Sequence, residues 1–156
     1  KKFYKTDIFN FGYNYYGNVL ELPDANLILR TSYNVNGAKN TQITKMSSEG
    51  NLIWEKKMIE QGHINDMIIN DSEILLAGYK PEFAFVRSFD FDGNLKWEKQ
   101  YEGKNVYLRT IVKNNSEYVL MGSTKENTGI FSDNPIESGD YQNLFFINID
   151  YEGNIK

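Results

Sequence analysis

Acidic side chains that could act as a catalytic pair lie in one polar stretch, Lys125 to Gln142, which contains Asp133, Glu137 and Asp140. Two carboxyl groups at a fixed separation could hydrolyse a glycosidic bond, one as general acid and the other as base or nucleophile. That chemistry also needs one raised pKa, and a polar loop indicates neither feature. We therefore expect a protein without catalytic residues and rank a glycan-active enzyme last among three functional hypotheses.

Other catalytic and metal chemistry is restricted by composition. The chain has no cysteine and one histidine, His63, which excludes thiolate nucleophiles, disulfides and the common zinc-hydrolase ligand sets. A Ser-His-Asp triad stays formally possible. Asp90–Asn94 is similar to the start of an EF-hand loop, but the later glutamate and the flanking helices are missing. We expect no metal site, no cofactor and no special role for His63, which we place in an exposed turn.

Overall charge and apolar runs exclude two further classes of protein. The 156 residues carry a net charge of −4, whereas nucleic-acid affinity depends on Lys and Arg side chains that neutralise phosphates. The longest apolar runs, 67–69 and 144–147, are far shorter than the roughly 20 residues of a membrane-spanning helix. We expect neither a nucleic-acid partner nor membrane insertion.

A short motif recurs along the chain. Gly50–Lys56 reads GNLIWEK, Gly93–Lys99 reads GNLKWEK, and Gly153–Lys156 begins the motif a third time. The spacing from Trp54 to Trp97 is 43 residues. Self-similarity at a period of about 20 to 50 residues is typical of solenoids, propellers and other repeat arrays.

A second landmark has nearly the same period. Glu73–Gly78 matches Glu117–Gly122, and the two glycines are 44 residues apart. In an earlier copy, Asn26–Thr31, a threonine stands where the glycine does. Two independent landmarks with one period indicate that the chain is built from similar units, of which the first is the most divergent.

Each unit contains four stretches with strand character, separated by turn signals rich in Asn, Asp and Gly. In the second unit the two middle stretches are nearly continuous apolar runs, as in strands covered on both faces. The last stretch alternates between apolar and polar residues, as in an outer strand. The predicted strands are 64–70, 73–79, 83–90 and 95–101.

Four strands in a unit of this length predict an all-β fold, specifically a β-propeller of four-stranded antiparallel blades with about three blades in this chain. A parallel solenoid is the main alternative, but its period of about 20 to 30 residues is too short. We expect a single domain, 1–156, with repeats at about 10–58, 59–101 and 102–156 and with 1–9 as an orphan outer strand.

The turn before the last strand carries a family resemblance. Phe89–Trp97 and Ile149–Ile155 share an Asp, a Gly three residues later and, in the first case, a Trp four residues beyond. This resembles the blades of bacterial PQQ-type and outer-membrane-assembly-type propellers. The resemblance implies that the Gly makes a tight turn, a short polar residue caps it and the Trp packs between blades. The first unit has Ser47 instead of Asp. The residues assigned to this structural motif are Gly50, Trp54, Asp90, Gly93, Trp97, Asp150 and Gly153.

Three blades are fewer than the about four to eight of closed propellers. Three explanations stay open: the chain belongs to a longer protein, two copies form a six-bladed ring, or an unusually small ring closes. In a six-bladed homodimer, the Phe3 strand of one copy would fill the gap after Ile155 of the other. The resemblance also implies an exported bacterial protein with an extracellular, periplasmic or cell-surface location.

Two segments depart from the repeat, and both are expected at the rim where the second strand leads to the third and the last strand leads to the next unit. They are the aromatic stretch Phe9–Gly17 and the insertion within Lys125–Gln142. Long loops on a rigid scaffold often carry recognition. The candidate ligand-binding residues are Tyr13, Tyr15, Tyr16, Asp133, Asn134, Asp140 and Tyr141.

From these features we expect a non-catalytic binding or assembly module, a scaffold for protein–protein interaction. The alternative is a lectin-like propeller, because tyrosine rings and asparagine amides suit sugars as well as protein surfaces. The same tyrosines could instead pack between blades, and the insertion could be a tolerated loop without function. Arg109 is expected on the first strand of the third unit, solvated in the central channel.

Overall fold

In the computed structural model the protein is all-β, and three antiparallel sheets of three or four strands make up the described part of the chain. The chain divides into two compact units, Lys1–His63 and Ile64–Lys156. The structure describes residues 14–35, 38–58, 62–126, 128–132 and 143–156.

The first unit contains one four-stranded sheet, here called the first sheet, whose strands are neighbours in chain order. Its strands are β1 (Asn14–Glu21), β2 (Leu27–Val35), β3 (Ala38–Met46) and β4 (Leu52–Met58). All three strand pairs are antiparallel. Consecutive antiparallel neighbours need only short turns.

The start of β1 differs from the sequence-based expectation. Phe9–Gly17 was predicted to be a loop, which is wrong for its second half, because β1 begins at Asn14 and Tyr15 pairs with Ser32 of β2. Tyrosine has a high strand propensity. The pairing register shifts between Tyr15 and Asn18, and a Cβ on Gly17 would clash with the carbonyl oxygen of Arg30. The glycine therefore permits a bulge.

The second sheet has the strand order β5-β6-β7-β8. Its strands are β5 (His63–Asn70), β6 (Glu73–Lys80), β7 (Phe83–Phe89) and β8 (Leu95–Glu102). The four predicted strands of the second unit are confirmed to within one residue at each end. The two middle strands are buried along most of their length, as their apolar runs predicted.

The third sheet has the strand order β11-β10-β9. Its strands are β9 (Val106–Asn114), β10 (Glu117–Thr124) and β11 (Asn143–Ile149). On its other edge β11 forms a bridge between Ile149 and Ile155, and the Lys156 amide donates to the Asn148 carbonyl at 3.0 Å. Within the described residues, this unit therefore holds three strands and, at Ile155, the beginning of a fourth.

The second and third sheets pack face to face around one apolar core. Buried residues from β6 and β7, including Leu75, Ala77 and Val86, contact buried residues of β9 and β10, including Leu108 and Leu120. Full burial of one aliphatic side chain of this size contributes about 1.5 to 3 kcal/mol. The contact between these two sheets is therefore a major source of stability for the second unit.

A 3-10 helix, Gly129–Phe131, follows β10 and is part of the insertion. Phe131 is buried in the core, with its ring centroid 4.7 Å from that of Phe145. The start of the insertion is therefore tied to the second unit by an aromatic anchor. Across the described ranges, no helix is long and apolar enough to cross a membrane.

Candidate functional site

Three turns share one hydrogen-bond pattern: the turn between β3 and β4, the turn between β7 and β8, and the turn that follows β11. In the second sheet the Asp90 amide donates to the Asn94 carbonyl at 2.9 Å, and the Gly93 amide donates to the Asp90 carbonyl at 3.0 Å. Asp150, Gly153 and Asn154 form the same two bonds at 3.1 Å or less. Ser47, Gly50 and Asn51 repeat the pattern in the first sheet. The glycines adopt φ values of 80° at Gly50, 82° at Gly93 and 83° at Gly153.

The aspartate side chains complete two of these turns. Oδ1 of Asp90 accepts from the amides of Asp92 and Asn94 at 2.9 and 2.8 Å. Asp150 accepts equivalent bonds, and hydrogen bonds from the Asn154 side chain and amide lower the pKa of its carboxyl group. Ser47 Oγ accepts one such bond, from the Asn51 amide at 3.1 Å. Asp90 therefore acts as a turn cap, and the calcium-loop interpretation has no support in its contacts.

Trp97 and the Gly153 turn belong to neighbouring sheets and lie in direct contact. A Cβ on Gly153 would lie 2.8 Å from Cζ3 of Trp97 and 2.6 Å from Cγ of Lys99, so the glycine allows close approach. The Tyr101 hydroxyl donates to the Gly153 carbonyl at 3.0 Å, and burial raises the pKa of this tyrosine. Lys99 Nζ donates to Asn154 Oδ1 at 2.8 Å. The end of β8 is therefore attached to the third sheet by packing and hydrogen bonds.

The first strands of the two sheets are also joined by polar contacts. Oδ2 of Asp66 on β5 accepts from Thr110 Oγ1 at 2.5 Å and from the Ile111 amide at 3.1 Å. Asn65 Nδ2 donates to the Leu108 carbonyl at 2.6 Å. These partners are separated by 43 to 45 positions in the chain. The contacts therefore join nearly equivalent positions of two consecutive units.

Further hydrogen bonds join the second and third sheets at the opposite end of β5 and β9. Asn70 Nδ2 donates to the Tyr118 hydroxyl at 2.6 Å, and Lys113 Nζ donates to Asn70 Oδ1 at 2.7 Å. Burial, followed by the nearby Glu73 charge, raises the pKa of Tyr118 to about 12. At neutral pH the Tyr118 hydroxyl is therefore protonated, and it accepts the Asn70 hydrogen bond within a mostly apolar contact.

A shallow groove of about 330 Å³ lies at one end of the second unit and is called the rim groove here. Hydrogen bonds from backbone amides join its walls: the Gly103 amide donates to the Glu82 carbonyl at 3.1 Å, and the Lys104 amide donates to Thr128 Oγ1 at 2.7 Å. The turn after β6, the turn after β8 and the segment after β10 therefore meet at one end, as predicted for the rim. The groove is lined by Glu82, Phe83, Gln100, Glu102, Gly103, Lys104, Thr128 and Gly129.

The lining of the rim groove combines charged and hydrogen-bonding side chains with one aromatic ring. Glu82, Glu102 and Lys104 are exposed, whereas Phe83 is half-buried and has Lys80 Nζ 5.8 Å from its ring centroid. Such a surface can bind a polar ligand through hydrogen bonds and stacking. Among the described residues, no three His, Cys, Asp or Glu side chains lie together as a metal site.

The side chains of the seven candidate ligand-binding residues lie outside what the structure describes. Tyr13 and the insertion residues Asp133, Asn134, Asp140 and Tyr141 are not in the described ranges. Tyr15 and Tyr16 belong to β1 by their backbone, but their side chains are not described. The orphan strand expected at 1–9 is outside the described ranges as well. The binding role of these residues stays a prediction.

Three further predicted residues are located. Trp54 lies on β4 opposite Lys45. Arg109 lies on β9 and is exposed, with its guanidinium carbon 5.4 Å from the Tyr107 ring centroid, so its strand position is confirmed. His63 was placed in a turn, but it is the half-buried first residue of β5. Extension of the strand by one residue accounts for the difference.

Sequence reasoning missed the residues that line the rim groove. It predicted which connections share the rim, but it assigned ligand binding to the two irregular segments. It overlooked the regular turns at Pro81–Glu82 and Gly103–Asn105. Asn105 has a φ of 51° and donates from its amide to the Pro81 carbonyl at 3.0 Å. The available signal was the short Pro-Glu and Gly-Lys-Asn turns directly beside strands of a predicted sheet.

Comparison of the chain with known proteins adds no identification. No protein-family model matches the chain, and no curated protein matches it.

Proposed function

We propose that the protein is a non-catalytic binding or assembly module made of blades similar to those of PQQ-type propellers. The observation that carries this proposal is the contact between the second and third sheets. Trp97 of one sheet packs on the Gly153 turn of the next, and nearly equivalent positions on β5 and β9 are hydrogen-bonded. Stacking of similar sheets through the same positions is how propeller blades assemble.

The proposal includes the exported bacterial setting that the resemblance implies. The resemblance itself is supported by the roles of the turn residues. Asp90 and Asp150 cap the turns, Gly93 and Gly153 adopt positive φ, and Trp97 contacts the next sheet. These contacts use the polar groups for structure. The surfaces left for recognition are the rim and the uncovered sheet faces.

A double-mutant cycle across the sheet contact tests the stacking on which the proposal rests. Asp66→Ala, Thr110→Val and the double variant are compared with the wild type by urea unfolding. We expect a coupling energy of at least about 0.5 kcal/mol, as for directly contacting residues. The exposed Asp71 serves as the control position, because Asp71→Ala combined with Thr110→Val should give additive effects. Additivity in the Asp66 cycle as well would contradict the proposal.

Absence of catalysis is tested with a panel of chromogenic glycosides. We expect no hydrolysis above the buffer rate. Turnover that is lost in any one of Asp133→Asn, Glu137→Gln or Asp140→Asn would establish an enzyme and overturn the non-catalytic assignment.

A carbohydrate-binding module is the second candidate, and the rim groove favours it. Phe83 offers a ring for stacking, and Gln100 and Glu102 offer hydrogen-bonding groups beside it. A glycan array would separate the two functions. Reproducible binding that Phe83→Ala and Gln100→Ala abolish, and that Asp71→Ala at the other end of the strands retains, would support the lectin. Tyr15→Ala and Tyr16→Ala test the contribution of the aromatic segment.

A further inference from the structure

One face of the third sheet carries three exposed and two half-buried apolar side chains, and is here called the outer face. It consists of Val112, Val119, Met121, Leu144 and Phe146. Strand register places them together, because Val119 pairs with Val112 and Met121 pairs with Phe146. Leu144 is 73% exposed, Phe146 67% and Val112 52%. Neighbouring exposed apolar side chains of this size mark an interaction surface.

The internal repeat indicates what kind of surface covers this face. The spacing that relates Gly78 to Gly122 makes Leu75 and Ala77 the equivalents of Val119 and Met121. Alignment of the Gly93 and Gly153 turns likewise makes Ala84 and Val86 the equivalents of Leu144 and Phe146. In the second sheet these four residues, Leu75, Ala77, Ala84 and Val86, are at most 1% exposed and lie in the core shared with the third sheet.

The same set of positions is therefore covered in the second sheet and uncovered in the third. What covers it in the second sheet is the opposite face of another sheet of the repeat, including Tyr118 and Leu120 of β10. The side chains of the outer face are larger than those of its covered equivalent, because Leu144 and Phe146 replace Ala84 and Val86. These larger side chains would protrude into a partner surface, where each buries more apolar area.

The first sheet offers the matching surface. Val19 pairs with Leu29, Leu27 pairs with Met46, and Met46 pairs with Leu52, so these five residues share one face. Leu27 and Leu29 are the repeat equivalents of Tyr118 and Leu120, the residues by which the third sheet covers the second. Val19 is 60% exposed and Leu52 57%, whereas Leu27 and Leu29 are half-buried and Met46 is buried. This face is called the entry face.

We propose that the outer face of one copy of this protein binds the entry face of a second copy. The inference rests on the proposed stacking of repeated sheets and extends it from one chain to two. The contact is heterologous, since two different faces meet, so it closes when two copies exchange both contacts and otherwise continues into longer assemblies. In either arrangement the protein associates with itself through apolar sheet faces.

Light scattering coupled to size-exclusion chromatography tests the contact over a range of protein concentrations. We expect the wild type to show a mass of at least two chains, and Phe146→Glu and Val19→Glu each to show one chain, because a buried carboxylate in an apolar contact is unfavourable. Leu95→Glu is the control for a charge at an exposed apolar position outside both faces, and it should keep the wild-type mass. Circular dichroism establishes that each variant is folded.

A mixing experiment tests the pairing of two different faces. Phe146→Glu keeps an intact entry face, and Val19→Glu keeps an intact outer face, so an equimolar mixture should form a two-chain species that neither variant forms alone. A mixture that stays monomeric would contradict the pairing of outer with entry face.

A wild type that is monomeric at every concentration, or variants that retain its full mass, would overturn the proposal. The Asp66 and Thr110 cycle separates this failure from failure of the proposed function. Coupling within the chain together with a monomeric wild type refutes only the contact between copies, whereas absence of coupling refutes the stacking itself.

Discussion

At the scale of single residues, the structure uses its charged groups to complete the backbone and to neutralise one another. Asp90 accepts bonds from two turn amides, and Ser47 at the equivalent place accepts one. Arg87 is buried, with its guanidinium carbon 4.3 Å from the Phe85 ring centroid and its Nε 2.5 Å from Glu98 Oε2. Loss of either acceptor would remove hydrogen bonds that stabilise the turn or the buried guanidinium.

Asp90→Ala is expected to destabilise the protein by about 1 kcal/mol or more, because two turn amides lose their side-chain acceptor. Asp90→Ser should recover part of the loss, since Ser47 caps the equivalent turn with one bond. Asp92→Ala removes an exposed carboxylate from the same turn and serves as the control. Urea unfolding at pH 7 measures all three free energies. Equal effects of Asp90→Ala and Asp92→Ala would contradict the capping role.

Glu98→Gln is expected to destabilise the protein by about 1 to 3 kcal/mol at pH 7, since a buried guanidinium loses its charged acceptor. Burial raises the pKa of Glu98, but hydrogen bonds from Arg87 and Gln100 outweigh it, so its pKa is lowered from 4.5 in the folded state. The carboxylate therefore stabilises the fold fully above pH 4.5, and this contribution is lost as the pH falls through the lowered folded value.

The gap in unfolding free energy between wild type and Glu98→Gln should therefore narrow below pH 4.5. Urea unfolding from pH 7 to pH 3 measures it. Glu55→Gln is the matched control at the equivalent place in the first sheet, where the Lys57 ion pair is solvent-exposed at 3.9 Å, and its effect should stay within about 0.5 kcal/mol. A gap that does not change with pH would contradict the ion-pair explanation.

At the scale of elements, one outer strand is attached to the next sheet by its side chains. Trp97 and Lys99 of β8 lie against the Gly153 turn, and Tyr101 donates to that turn's backbone. Phe131 attaches the segment after β10 to the same unit, because a Cβ on Gly103 would lie 2.7 Å from its ring. Both attachments depend on a glycine opposite an aromatic ring.

Trp97→Ala is expected to cost about 3 kcal/mol, because it removes the aromatic contact between two sheets and leaves a cavity. Leu95→Ala lies on the same strand, is exposed and has no role in this contact, so it should cost under about 1 kcal/mol. Thermal and urea unfolding of both variants give the comparison. Similar losses in the two variants would show that Trp97 contributes strand propensity alone.

At the scale of the whole molecule, association with a second copy would couple folding to concentration. A contact present only in the folded state stabilises that state by mass action. We expect the unfolding temperature of the wild type to rise with protein concentration, and that of Phe146→Glu to be independent of it. Differential scanning fluorimetry over a hundredfold concentration range measures both. A concentration-independent wild type would contradict self-association.

Much of the fold could be predicted because the signals for it are local. Apolar alternation and turn residues set the strands of the second unit to within one residue, and the Asp-x-x-Gly turns are closed by bonds within five residues. The candidate site could not be predicted in the same way. The rim groove is assembled from three connections far apart in sequence, and its residues carry no motif.

The aromatic segment shows why the interpretation of single loops was weaker. Tyr15 and Tyr16 were treated as loop residues, but their strand propensity and the pairing partner Ser32 place them in β1. A departure from the repeat is visible in the sequence, whereas the strand that pairs with the irregular segment is not. Register with another strand overrides local irregularity.

The sequence by itself determined the all-β class, the strand boundaries of the second unit and the three equivalent turns, because these depend on backbone conformation and on contacts between near neighbours. Only the tertiary structure decided that Trp97 packs on Gly153, that Ala84 and Val86 are covered, and that Leu144 and Phe146 are exposed. Burial depends on which sheet packs against a face, and apolar residues at equivalent positions of β7 and β11 do not show which of the two strands is covered.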